Sequence, residues 1–245
     1  MVETAAAAVL LARLGDGGAA AKRFVPALVS GEALATLVLP GGGPYALDAD
    51  AAAYCFTVSA AGELRVAAGS GGGGVVRSTD PARRLSALDA GRGGLLGAGP
   101  HVLAAARTAG DWARLLTAAQ CQGVGETLLA RTVEYAGQRR QFGTPIGGLQ
   151  AVKHRLADAF LALEFARPLV WAAALSLAPG EIAAAKLSTG EAAYGAAMTA
   201  LQVHGAVGYT EELDLSLWLR KARPLRDAWG TPAACRAAVL ATREP

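Results

Sequence analysis

The sequence predicts an α+β fold that is mostly α: a short helical lead, a small β-domain and a C-terminal four-helix bundle. Three observations carry this. Alanine and leucine dominate residues 4–14 and 17–30. Short apolar runs bounded by glycine fill the stretch from 35 to about 100. From Ala105 onward, apolar residues recur at three- and four-residue spacing, the period of a one-sided helix. The corresponding domains are 1–34, 35–100 and 101–245.

The first segment reads as two short helices broken at Gly15-Asp16-Gly17-Gly18, with Pro26 and Gly31 marking the end of the second. Apolar runs at 34–39, 53–58 and 64–67 read as strands, and glycine clusters at 41–43, 69–74 and 91–94 read as the turns between them. The glycines at 71–74 have neither the spacing nor the strand-to-helix context of a nucleotide-binding fingerprint, so they are expected to form a loop. In the helical part, Trp112, Leu115, Leu116, Ala119, Gly123, Leu128 and Val133 trace one face, and Val152, Leu156, Phe160, Leu163 and Val170 another. Pro179-Gly180 separates these from a third long helix at 181–204. A fourth is expected at about 210–225 and a fifth from near Thr231. Alanine and glycine on these faces let helices approach closely, as a bundle requires.

Composition excludes several classes. Apolar residues make up 53% of the 245, ample for a core. No run approaches the ~18 consecutive apolar residues of a membrane span, and the N-terminus carries Glu3 without the basic start of a secretory signal. A cytoplasmic location without membrane attachment is therefore expected. The net charge is only +3, and no basic face is interleaved with aromatics, so a nucleic-acid partner is not expected. Arg220, Lys221, Arg223 and Arg226 form the one basic cluster, either a solvated helix end or a phosphate contact. Cys55, Cys121 and Cys235 are odd in number and far apart, which fits free thiols and no metal.

The chemistry-bearing stretch is Arg139-Arg140-Gln141-Phe142-Gly143-Thr144-Pro145-Ile146. One by one these residues make an ordinary helix end: arginines at the negative pole, a glycine cap, a blocking proline. That does not explain Gln150 or Leu156-Ala157-Asp158 beyond it. A second block, Gln202-Val203-His204-Gly205-Ala206-Val207-Gly208-Tyr209-Thr210-Glu211-Glu212, precedes the helical Leu217-Trp218-Leu219-Arg220-Lys221-Ala222-Arg223. Together, over about 110–245, the two blocks resemble the helical domain of the acyl-CoA dehydrogenases. Residues 20–32 are similar to that family's run into its middle β-domain, so most of its usual N-terminal helical domain has no counterpart here.

The resemblance implies an FAD-dependent α,β-desaturation of an acyl-CoA thioester, with a carboxylate base taking the α-proton. It places that base directly before a Gly-Thr pair. Here the pair is Gly230-Thr231 and the residue before it is Trp229. In some relatives the base lies on the first long helix before an arginine, and Ala113 stands there before Arg114. Neither can accept a proton; Asp227 is the nearest substitute.

For the flavin, the resemblance gives Arg139, Gln141 and Phe142 the role of reaching across a dimer interface to the partner's FAD, the arginine on its pyrophosphate. Gln150, Gln202, Gly205 and Ala206 match further flavin-contacting or structural positions, with Ala206 in place of a usual glycine. Thr231 matches a contact to the subunit's own flavin. The family's threonine near the flavin ring is replaced by Val38, so the chain's own flavin site is expected to be defective.

The expectation is a non-catalytic subunit of an α₂β₂ acyl-CoA dehydrogenase similar to paired actinobacterial enzymes, some of which act on steroid side chains. A longer catalytic partner would supply the base and most of the acyl-CoA pocket. The alternatives are a self-sufficient flavoenzyme with a displaced base and a flavin-free scaffold of the same fold.

Overall fold

The computed structural model describes residues 1–15, 18–43, 45–69, 74–88 and 91–242. Most of the glycine run at 71–74, and Asp16-Gly17 in the first break, lie outside these. The chain forms two compact units, Met1–Ala113 and Arg114–Pro245.

In the first unit, helices α1 (Val2–Ala12) and α2 (Ala19–Ser30) precede seven short strands. These are β1 (Ala35–Val38), β2 (Tyr45–Leu47), β3 (Tyr54–Val58), β4 (Glu63–Ala68), β5 (Val75–Arg77), β6 (Arg84–Ala87) and β7 (Gly94–Ala98). Strands β1-β3-β4-β7 make one sheet in that order and β2-β6-β5 another. Strand β1 runs parallel to β3, pairing Val38 with Thr57, and the remaining pairings are antiparallel. Thr4 ties α1 to β1: its hydroxyl donates to Ala35 O at 3.0 Å and accepts from Ala35 N at 3.1 Å. Phe24 of α2 meets Tyr54 and Phe56 edge-on, with ring centroids 5.0 and 5.5 Å apart.

The expected strands at 34–39, 53–58 and 64–67 are β1, β3 and β4. Strands β2 and β5 escape the sequence because they span three residues each, and β6 and β7 because they carry little apolar alternation; β5 is exposed throughout. Pro26 does not end α2 but lies inside it, and the chain leaves the helix at Gly31.

The second unit is helical. Helix α3 (Pro100–Gln138) begins in the first unit and runs on into this one. A small hairpin follows, β8 (Arg140–Gln141) with β9 (Thr144–Pro145), then a single 3-10 turn at Ile146–Gly148. Next come α4 (Gln150–Ser176) and α5 (Pro179–His204), a second 3-10 turn at Gly205–Tyr209, α6 (Leu215–Asp227) and α7 (Pro232–Ala241). The fourth bundle helix thus starts at Leu215 rather than near 210, because residues 210–214 form bends and a turn after the 3-10 segment.

Helix α5 is the axis of this unit, packing on α4, α6 and α7. Its buried face is almost entirely small: Ala183, Ala185, Thr189, Gly190, Ala192, Ala193, Ala196, Ala197 and Ala200. A Cβ on Gly125 of α3 would come within 2.5 Å of Leu163 and 3.2 Å of the Ala193 backbone, so three helices meet closely there.

The buried faces differ from the expected stripes. On α3 they run through Leu115, Ala118, Cys121, Val124 and Leu128, while Val133 is half exposed. On α4 the buried residues are Ala159, Leu163, Ala166 and Ala173, and Phe160 points outward. Of the expected α4 stripe Leu163 is buried and Val152, Leu156 and Val170 are half-buried, but Phe160, Phe165 and Trp171 are outside while alanines fill most of the buried face, so amphipathicity predicts this helix only in part.

Candidate functional site

The chain leaves α3 at Gln138 and turns back at once. Gln141 pairs with Thr144, so Phe142 and Gly143 form a two-residue turn, and both have positive φ, 51° and 77°. Such a turn suits strand twist and normally selects asparagine and glycine. Gly143 meets that demand. Phe142 is a bulky side chain in the left-handed region, at a cost of about 1–2 kcal/mol, and it is 91% exposed. Burial in this chain therefore does not compensate for the strain. Arg139 and Gln141 are also exposed. Arg140 donates to Gly143 O at 3.3 Å, whereas the Arg139 guanidinium has no partner among the described residues. The hairpin is seated firmly: Ile146 N donates to Arg139 O at 2.8 Å, and Gly147 lies so close to Ala136 that a Cβ would stand 3.0 Å from Ala136 O.

Gln150 is the exposed first residue of α4, one short turn beyond this hairpin. Gln202 is exposed near the end of α5. Gly205 ends that helix with open space where its Cβ would stand, and Ala206 is exposed. His204 and Tyr135 connect the ends of α5 and α3: their rings stack with centroids 4.1 Å apart at 21°. His204 Nδ1 lies 2.8 Å from Ala200 O, a carbonyl that can only accept, so Nδ1 carries a proton. The structure therefore anchors Arg139, Gln141, Phe142 and Gln150 near the same end of the bundle as Gln202, Gly205 and Ala206.

Thr231 and Trp229 lie elsewhere. Trp229 follows α6, has φ 56° and offers its carbonyl to Arg114 Nε at 3.1 Å. Thr231 caps α7 by accepting from Ala234 N at 3.2 Å, leaving its own hydroxyl proton to donate. Arg114 and Tyr135 are separated by 21 residues of α3, about 31 Å at ~1.5 Å per residue. The Trp229–Thr231 turn and the Tyr135–His204 end thus belong to two sites. Spacing in sequence did not reveal this separation; the length of α3 did.

Around Trp229 the groups are buried and polar. Lys186 of α5 donates to Arg226 O at 2.8 Å and Gly230 O at 3.3 Å. Burial lowers its pKa below the usual lysine value. Cys121 sits against Leu225 O, and burial pushes its thiol up to about 11, the nearby Lys186 charge opposing this. Burial also raises Cys235. Asp227 ends α6 and is ion-paired with Arg223 at 3.4 Å. Arg220 and Arg226 are paired with Glu211 and Glu191 at 2.7 and 2.8 Å. The three arginines of the basic cluster are thus each ion-paired within the chain. Ala113 is buried on α3. In the first unit, Val38 packs on the small apolar cluster Ala46, Ala49, Ala52 and Cys55 and offers no hydrogen-bond donor from its side chain. Among the described residues no cluster of His, Cys, Asp and Glu could hold a metal.

A long helical bundle following a small β-unit, with an arginine-bearing hairpin between its first two helices, defines the class. Residues 103–242 match the family "Acyl-CoA dehydrogenase, C-terminal domain", and the chain belongs to the acyl-CoA dehydrogenase family. Acyl-CoA dehydrogenase IpdE2 of Mycobacterium tuberculosis is 38% identical over 147 residues, 60% of this chain and 44% of that protein. The matched stretch is thus under half the length of that curated relative. Butyryl-CoA dehydrogenase from Megasphaera elsdenii has the same fold, with a TM-score of 0.81 over 98% of this chain and 76% of that one at 20% identity. A glutaryl-CoA dehydrogenase from Mycobacterium smegmatis in complex with FADH2 gives 0.79 over 98% and 73% at 16% identity.

Proposed function

We propose that this chain is the non-catalytic subunit of a heteromeric FAD-dependent acyl-CoA dehydrogenase. It donates Arg139, Gln141 and Phe142, backed by Gln150, Gln202, Gly205 and Ala206, to the flavin of a longer catalytic partner. The observation that carries the reading is Phe142: an aromatic ring held at positive φ and almost wholly exposed, beside an arginine without a partner among the described residues. Strain of this kind persists where the conformation serves a contact, and that contact is not in this chain.

These residues fit a flavin dinucleotide. The Arg139 fork suits pyrophosphate oxygens in two places. Gln141 and Gln202 can donate and accept at ring or ribose edges, Phe142 supplies a flat apolar face, and the open space at Gly205 admits a close approach. The bound flavin would supply the oxidising chemistry. What this chain does is hold and orient it and exclude water on one side.

Two observations favour a catalytic partner over a self-sufficient enzyme. Trp229 stands at the base position, and Asp227 is engaged with Arg223. Val38 brings no hydroxyl to the position where the family uses one. A third supports an assembly rather than a lone scaffold: Phe160, Leu161, Phe165, Leu169, Trp171 and Leu175 of α4 are large, apolar and exposed. Monomers rarely present so long an apolar stripe. By length and composition α4 could cross a membrane, but its other face is packed on α5 and it carries Lys153, Arg155, Asp158, Glu164 and Arg167, so a protein partner suits it better. The substrate class is an acyl-CoA thioester held mainly by the partner, with steroid side-chain CoA esters as the sub-class suggested by the paired enzymes it resembles.

The test is Arg139→Ala in the purified complex. Loss of a charge-assisted bidentate contact, worth about 1.5–3 kcal/mol, is expected to weaken flavin retention by ten- to a hundredfold without dissociating the subunits. Unchanged flavin affinity would sink the donated half-site.

A further inference from the structure

We infer that Lys186 is a positioning residue which, with Arg114, holds the α6–α7 turn in one backbone shape and so fixes where Trp229 and Thr231 sit. Lys186 is 1% exposed. Its hydrogen-bond partners are main-chain oxygens, Arg226 O at 2.8 Å and Gly230 O at 3.3 Å. Arg114 Nε takes the carbonyl between them, Trp229 O, at 3.1 Å. Two cations from α5 and α3 thus grip a carbonyl in the last turn of α6 and two carbonyls, those of Trp229 and Gly230, in the turn that follows.

A lysine is costly to bury and is justified only by the bonds it makes. Here they are bonds the backbone needs. Arg226 O lies in the last turn of α6, where carbonyls lack intrahelical donors and the helix dipole is negative. The turn itself departs from ordinary backbone, with Trp229 at φ 56° and Gly230 at φ 150°. Only at Gly230 is such a φ easy; a Cβ there would also stand 3.0 Å from Cys235 Sγ and 3.1 Å from Arg114 Nε. The groups facing the ammonium are Cys121 and Arg114 from α3, Cys235 from α7 and Asp227 at the end of α6. Asp227 is spent on Arg223, which leaves the carbonyls as the ammonium's own anchor. The geometry is that of a clamp; its relevance to flavin, through Thr231, rests on the family match of that position to a flavin contact.

The full chain labelled with 5-fluorotryptophan carries four reporters, Trp112, Trp171, Trp218 and Trp229, each assigned by substitution with phenylalanine. In Lys186→Met the ¹⁹F resonance of Trp229 is expected to shift or broaden while the other three stay in place. Lys186→Gln keeps an uncharged NH2 donor group; it is expected to move the same resonance less, and it stands in if the methionine variant does not fold. An unmoved Trp229 signal in the folded variant, or all four signals moving together, overturns the clamp. Flavin retention by the complex is measured separately. If Trp229 moves and flavin retention is unaltered, the clamp stands and the flavin-side role of this turn falls.

Discussion

Tyr135 stacks on His204 at 4.1 Å, joining the ends of α3 and α5 at the point where both signature stretches begin. Arg139 lies four residues beyond Tyr135, directly before the hairpin, and the turn that carries Gly205 starts one residue beyond His204. Arg114 and Trp229 make the corresponding link about 31 Å away along α3. One helix therefore serves two sites: the residues proposed for a neighbour's flavin sit at its C-terminal end, and the turn with Thr231, which the resemblance matches to a contact with the subunit's own flavin, is held at Arg114 further back along it.

Removing the stack should loosen that end. Tyr135→Ala is expected to lower stability by about 1–2 kcal/mol, the ring contact contributing roughly 0.5–1.5 of this, and to reduce flavin retention in the complex. Tyr135→Phe keeps the ring and should match the wild type in both. Denaturant midpoints and bound-flavin absorbance read the two effects; a Tyr135→Phe defect as large as the alanine one would move the explanation from the ring to the hydroxyl.

Phe142→Asn should act with opposite signs on stability and function. Asparagine tolerates the left-handed region and is favoured with a following glycine in such turns, so the isolated chain is expected to gain up to about 1 kcal/mol. The complex should hold flavin less tightly, because the exposed ring is gone. A thermal melt of the chain and a flavin titration of the complex check both, and a loss of stability in the isolated chain would show that the ring is not strained.

At alkaline pH the buried thiol sets the slope. Cys121 holds its proton up to about 11 in the folded chain, above a thiol's ordinary value of 9.0. The stability this contributes is full below pH 9 and is lost as pH rises towards 11, on the order of 2–3 kcal/mol. Lys186, with a lowered pKa, acts the other way: the unfolded chain binds more protons just below 10.5, so its share rises with pH. Cys121→Ser is therefore expected to remove the steepest part of the alkaline fall in denaturant midpoint. A wild-type midpoint flat from pH 9 to 11 would contradict this.

The outward face of α4 should carry association. Phe165 and Leu175 are 74% and 88% exposed, so Phe165→Asp with Leu175→Asp should change the isolated chain's stability by no more than about 0.5 kcal/mol per site. In sedimentation velocity the assembly formed with the partner is expected to shrink or dissociate. Unaltered mass would show that α4 faces solvent in the complex.

Much of this was legible in the sequence. The helical extent, the breaks at Pro145 and Pro179-Gly180 and the strands β1, β3 and β4 follow from spacing and breakers, and the two signature blocks identify the family before any coordinates. What the sequence concealed has physical causes. Helix α4 buries Ala159, Ala166 and Ala173 beside Leu163 and exposes Phe160, Phe165 and Trp171, so a rule that sends the largest apolar residues inward places Leu163 correctly and misplaces the three aromatics. The strain at Phe142 depends on a two-residue turn that only the β8–β9 register reveals. Lys186 reads as one more helical lysine until Arg226 O and Gly230 O appear beside it.

The most direct measurement is flavin stoichiometry. The chain purified alone and the chain co-purified with a longer acyl-CoA dehydrogenase homologue, carrying glutamate where this chain has Trp229, are compared by bound-FAD absorbance and by oxidation of an acyl-CoA. The expected result is no stoichiometric flavin and no turnover for the chain alone, and both for the complex. Stoichiometric FAD with turnover in the chain alone would contradict the assignment of this subunit as a donor to another's site.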